Sequence, residues 1–110
     1  MGDRRDRIAR NEAIFREVNE RVREVSKRAS RADERVEFLC ECGHENCTES
    51  LVLTPAEYED VRSEAAQFAL LPGHEAPDVE SVVATVEDRF VIARKHEDEA
   101  TIARETDPRS

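Results

Sequence analysis

All three cysteines of the chain fall in one run of eight residues, Cys40-Glu41-Cys42-Gly43-His44-Glu45-Asn46-Cys47. The opening Met1-Gly2-Asp3-Arg4-Arg5-Asp6-Arg7 leads into no apolar stretch and does not read as a signal peptide. An odd thiol count without an export signal argues against a disulfide framework and for a reducing, cytoplasmic setting. Three thiols this close can converge on a metal ion, which then needs a fourth ligand from elsewhere. Cys40 and Cys42 lie two apart, so on a strand their side chains share one side. Gly43 can take the positive φ of a tight turn, which brings Cys47 back toward them. Zinc suits such thiolates, and a closed tetrahedral zinc site leaves no position for water. The spacing C-x-C-x4-C is looser than paired C-x-x-C knuckles, and ordinary reduced thiols are the competing reading.

The chain has three histidines for the fourth position. His74, in Leu71-Pro72-Gly73-His74, sits on a turn that would tie the cysteine loop to the second half of the chain. His44 lies inside the loop and could bind only through a strained backbone. His96 follows the last expected strand and reads as exposed. The predicted zinc ligands are therefore Cys40, Cys42, Cys47 and His74, with His44 as the alternative to His74. Glu41, Glu45 and Glu75 flank these residues and read as solvated carboxylates.

Around this loop the chain reads as α+β: a long N-terminal helix over 1–35, a small metal-stabilised domain over 36–96, and an acidic flexible tail over 97–110. No Gly or Pro interrupts Asp3 to Ala32. Ile8, Asn11, Phe15, Val18, Val22, Val25 and Ala29 alternate by four and three, as a heptad seam does. That stripe packs on the chain's own domain or pairs with a second copy or a partner helix, and a charge placed at Val18 is expected to be costly either way. Glu12–Arg16, Glu17–Arg21 and Glu24–Arg28 have the spacing of helix-surface ion pairs. Ser30 to Arg35 breaks the pattern. Val36–Cys40 and Ser50–Leu53 read as strands of a hairpin with the cysteine loop at its tip. Thr54-Pro55-Ala56-Glu57 opens a short helix with a capping box and Pro at its first position. Tyr58, Val61, Ala65 and Phe68 supply its apolar face. Ser81–Val86 and Arg89–Arg94 form a second hairpin across Glu87-Asp88.

Charged residues make up 39% of the chain and aromatic residues 5%, so the core is small and a metal can supply stability that it lacks. Residues 1–35 carry 11 basic and 8 acidic side chains, and residues 36–110 carry 6 and 18. The acidic body repels phosphates, so nucleic acid would have to meet the first helix, where Arg4, Arg5, Arg7 and Arg10 are interleaved with acids. No run of eighteen apolar residues is present, so no membrane-spanning helix is expected.

Arg10-Asn11-Glu12 onward, Phe38-Leu39-Cys40-Glu41-Cys42, Cys47-Thr48-Glu49, Leu53-Thr54 with Glu57-Tyr58-Glu59, and Pro72-Gly73-His74-Glu75 together resemble a group of small hypothetical proteins from actinobacteria. The resemblance spans about Arg10 to Lys95. It implies a bacterial, cytosolic setting and brings no assigned activity with it. It includes the three cysteines and His74.

No phosphate-cradling Gly loop, serine elbow or histidine beside a candidate nucleophile is visible, so catalysis is not expected. The expected function is that of a zinc-stabilised regulatory or adaptor protein, binding another protein or a second copy through the first helix. The alternatives are a thiol redox or zinc-release sensor and a nucleic-acid binder acting through the arginine-rich helix.

Overall fold

An uninterrupted run of helix-compatible residues makes the first element, α1 (Asp3–Ala29). The computed structural model describes residues 3–29, 31, 33–44 and 47–109, and within α1 the side chains from Arg7 to Arg28. The readings made for Met1-Gly2, for the side chains of Arg4, Arg5 and Ala29, for Ser30 and Ala32 in the polar break, and for Glu45 fall outside the described residues. Strands β1 (Val36–Leu39) and β2 (Ser50–Leu53) pair antiparallel, with Val36 opposite Leu53 and Leu39 opposite Ser50. The cysteine loop joins them, as expected.

Helix α2 (Pro55–Val61) follows directly. Its start is fixed by a complete capping box. Glu57 N–H donates to Thr54 Oγ1 at 3.1 Å, and Thr54 N–H donates to Glu57 Oε1 at 2.8 Å. Strands β3 (Gln67–Leu70), β4 (Glu80–Val86) and β5 (Phe90–Lys95) form an antiparallel sheet in the order β3-β5-β4. β4 is an edge strand with Val82 and Val83 on its exposed face, and its register against β5 shifts between Val82 and Ala84. Glu87, at φ 54°, makes the turn between β4 and β5 without a glycine.

The fold is thus α+β, with the long helix, the hairpins and short helices. One helix is longer than expected: α3 (Glu97–Glu105) fills a stretch that reads as an acidic tail with a single helical turn through Ile102. Its charge pattern explains it. Glu97, Asp98 and Glu99 stand in the first turn and Arg104 in the last, each at the end of the helix dipole that favours it. Ala100 and Ala103 are buried, and α3 packs beside β5 and α1.

The apolar core gathers Phe38, Leu51, Leu53, Tyr58, Val61, Phe68, Leu70 and Phe90. Phe38 and Tyr58 stack with centroids 4.6 Å apart. Tyr58 and Phe68 are core residues, as expected, but α2 ends at Val61, so Ala65 lies beyond it and Phe68 reaches the core from β3 and not from the helix's apolar face.

Helix α1 packs on β1, α2 and α3, but only partly through the expected stripe. Its buried side chains are Ile8, Glu12, Arg16, Asn19 and Ser26, while Phe15 and Val22 are half-buried. Val18 is 38% exposed and Val25 66%, with Ile14 beside them at 51%. The period is helical, but the inward face is rotated from the apolar seam and is mostly polar. The cause lies in the body, which offers partners for those polar groups. Lys95 Nζ lies 2.5 Å from Glu12 Oε2 and 2.7 Å from Glu80 Oε1, with all three side chains buried. Arg16 donates to the carbonyls of Ala65 and Ala103 at 2.6 Å each, and its guanidinium lies 4.6 Å from the centroid of Phe68. The helix-surface pair expected between Glu12 and Arg16 therefore gives way to separate buried partners. Glu17–Arg21 does form, at 3.7 Å on the exposed side, where such a pair adds little.

These contacts reverse the expectation for Val18. Arg16→Ala leaves two carbonyls without their donor and is expected to destabilise the fold by about 3 kcal/mol. Val18→Glu, at a solvent-facing site, is expected to change stability by only about 0.5 kcal/mol. Urea denaturation of the two variants checks this, and equal losses would mean that α1 seats in a different register.

Candidate metal centre

Past Leu39 the chain leaves β1 and changes partners. Cys40 N–H donates to Glu49 O at 2.9 Å, which prolongs the hairpin, and Glu41 N–H donates to Ala69 O at 2.8 Å, which moors the loop to β3. Cys40 and Cys42 point to one side and Glu41 to the other, the alternation of a strand. Gly43 then turns at φ 77°, and a Cβ there would lie 2.9 Å from Ile8 and Glu12 atoms of α1. Glycine is therefore required twice, for the backbone angle and for the approach of the helix. Cys47 N–H donates to His44 O at 3.1 Å and closes the loop.

The fourth residue arrives on a second turn. His74 N–H donates to Leu71 O at 3.0 Å, with Gly73 at φ 87°. Leu71 N–H donates to Cys40 Sγ at 3.2 Å, which links the two loops through the sulfur itself.

Cys40, Cys42, Cys47 and His74 present ligand atoms that all lie within 4.8 Å of one another. His74 Nδ1 is 3.7 Å from Cys40 Sγ and 3.8 Å from Cys47 Sγ. A tetrahedral ion bound at about 2.3 Å to sulfur and about 2.0 Å to nitrogen sets an S-to-N edge of about 3.6 Å. The cluster is thus dimensioned for a metal ion. His74 Nε2 faces Glu49 Oε2 at 3.6 Å, so a carboxylate stands behind the ring on the side away from the sulfurs.

The thiols show why a cation belongs here. The hydrogen bond from Cys40 holds the Cys42 thiol down at about 4, against the cost of its burial, and contacts from His74 and Cys47 act in the same sense. Cys40 is pushed up by donating that bond and by burial, and Cys47 is pushed up chiefly by burial. Burial acts against the thiolate form at all three positions, and a bound divalent cation would supply the charge that favours it.

His44, the alternative ligand, is exposed, and its Nε2 lies 3.2 Å from the carbonyl of His74. It braces the ligand's backbone from outside. His96 is exposed, with Nε2 2.9 Å from Ser81 Oγ. Glu75 is half-buried and accepts from Gly73 N–H at 3.1 Å.

Glu41 requires a correction. Far from being solvated, it is fully buried. Its carboxylate accepts from Asn19 Nδ2 at 2.8 Å, from Tyr58 OH at 3.0 Å and from Ala69 N–H at 2.9 Å. Burial raises its pKa, and these three donors oppose the rise. The alternation that aims Cys40 and Cys42 at the metal aims Glu41 into the core, and that same alternation was the available sequence signal.

Comparison of the chain with protein-family models, with curated proteins and with solved structures finds no match in any of the three.

Glu49 is expected to matter through His74. Glu49→Gln should weaken metal binding about tenfold without loss of fold. Competition with a chromophoric chelator measures it, and unchanged affinity would show that the carboxylate does not act on the ring.

Proposed function

We propose that the centre holds zinc as a structural ion, and that the chain is a non-catalytic regulatory or adaptor protein acting on another protein through α1. The observation that carries the first half is the convergence of three sulfurs and one imidazole nitrogen within 4.8 Å. That donor set favours zinc over harder ions, and with all four positions filled by protein it offers none to a reacting water. Zinc here joins the β1–β2 loop to the turn at His74, across a small core.

The second half is supported by the outward side of α1. Ile14, Val18 and Val25 share an exposed edge, flanked by exposed Arg10, Glu17, Arg21 and Glu24. An apolar strip with a charged rim is the form in which a helix meets a groove or a second helix. The interaction surface is thus carried by the helix first considered for it, but on its outward face. No described helix is long and apolar enough to cross a membrane.

Protein purified without added metal is expected to contain about one zinc per chain, and Cys42→Ser to lose it. Folded, reduced protein free of metal would overturn the zinc reading. Removal of α1 is not a clean test of its partner, because the helix carries buried Glu12, Arg16 and Asn19. A double variant, Ile14→Glu with Val25→Glu, should keep zinc and melting temperature but lose the protein that wild type retains in a pull-down, or its self-association in light scattering. Retention of both at full strength would place the surface elsewhere.

A further inference from the structure

Helix α1 is seated on the metal loop itself. Asn19 Oδ1 accepts from Leu39 N–H at 2.8 Å, and its Nδ2 donates to Leu39 O at 2.9 Å and to Glu41 Oε2 at 2.8 Å. Two turns earlier, Asn11 Nδ2 donates to Gly43 O at 3.1 Å. Ile8 and Glu12 close over Gly43 so tightly that no Cβ fits between. The seat is therefore the segment Leu39–Gly43, and two of its five residues, Cys40 and Cys42, are ligands.

Many of the remaining contacts of α1 are also polar, although Val22 packs on the apolar core. Glu12 meets Lys95, Arg16 meets two carbonyls, and Arg23 Nε donates to Glu59 Oε2 at 2.8 Å. Such groups exchange protein partners for water when a helix lifts, so separation costs less than it would across an apolar interface of the same size. A bound ion ties Cys40 and Cys42 to Cys47 and His74, which come from two other stretches of chain. It thereby fixes the path of Leu39–Gly43, on which the spacing between Asn11 and Asn19 is matched.

We infer that metal occupancy and the seating of α1 are one coupled equilibrium: release of the ion loosens the helix, and seating of the helix tightens the site. This rests on the zinc reading of the cluster and adds its regulation. The device makes the outward strip and the buried polar face of α1 responsive to whatever removes zinc, whether a competing chelator or an oxidant of its thiolates. By linkage, the factor by which metal favours the seated helix equals the factor by which seating favours metal.

The test uses the full chain, zinc-loaded and then stripped with a chelator in the presence of a thiol reductant, followed by hydrogen–deuterium exchange. Amides of residues 11–23 are expected to exchange about tenfold faster after stripping, while those of β3 and β5 change by less than about twofold. Unchanged protection in α1 would overturn the coupling. So would equal loss in α1 and β5, since the ion would then hold the whole fold and not this helix. A second measurement leaves the ligands intact. Asn11→Ala should weaken zinc about fivefold in chelator competition, and Lys27→Ala, at an exposed position of the same helix, should not. Equal affinities for wild type and Asn11→Ala would overturn the proposal. Protein that never contains zinc defeats the earlier reading, whereas zinc present with an indifferent α1 defeats only this one.

Discussion

The seam between α1 and the body depends on the buried carboxylate of Glu41. An ionised carboxylate without partners is far too costly to place in a protein interior. Glu41 is tolerated because Asn19, Tyr58 and the Ala69 amide all donate to it. These donors come from α1, α2 and β3, so one side chain fixes the mutual placement of three elements. A hydrophobic residue there would fill the space but would not specify which donors must converge. The opposite side of the same three-residue stretch, Cys40 to Cys42, aims the two thiols at the metal centre. Core order and site geometry are thus set by one short stretch.

Much of this was legible because the governing signals are local. Thr54 to Glu57 forms its capping box from side chains three residues apart, and Arg89, which also pairs with Glu57, leaves that box in place. The hairpins follow from alternating runs, and the cysteine loop from the crowding of three thiols. His74 was identified from its Pro-Gly turn, and the structure brings it to the sulfurs from 27 residues beyond Cys47. The inward face of α1 was not legible from its own pattern. Apolar periodicity assumes that a helix buries its most apolar stripe, and here Glu12, Arg16 and Asn19 find partners in residues 20 to 87 positions away. The full length of helix α3 was hidden for a related reason, since its burial rests on two alanines within a run of charge.

Charge organises the rest of the periphery. Arg62, buried at the end of α2, lies between Glu20 of α1 and Asp107 beyond α3. Arg109 also reaches Glu20, at 2.7 Å, and Glu59 at the same distance. These bonds lower the carboxyl pKa of Glu59, first through Arg109. Network membership matters more than count, since an isolated surface pair contributes little and a shared, partly buried one fixes orientation. The chain closes on itself in this way, with its last described residues clasped to its first helix.

The irregularity between Val82 and Ala84 has a consequence for solubility in concentrated conditions. Within β4, the stretch from Ser81 to Val86 holds no charged residue or proline, a composition that invites another chain to add a strand. The extra residue, Val83, breaks the even ladder of outward amides and carbonyls and bends the edge. A bulge of this kind blunts an edge strand as a template, so an edge without Val83 would be more regular and more open to the addition of a strand.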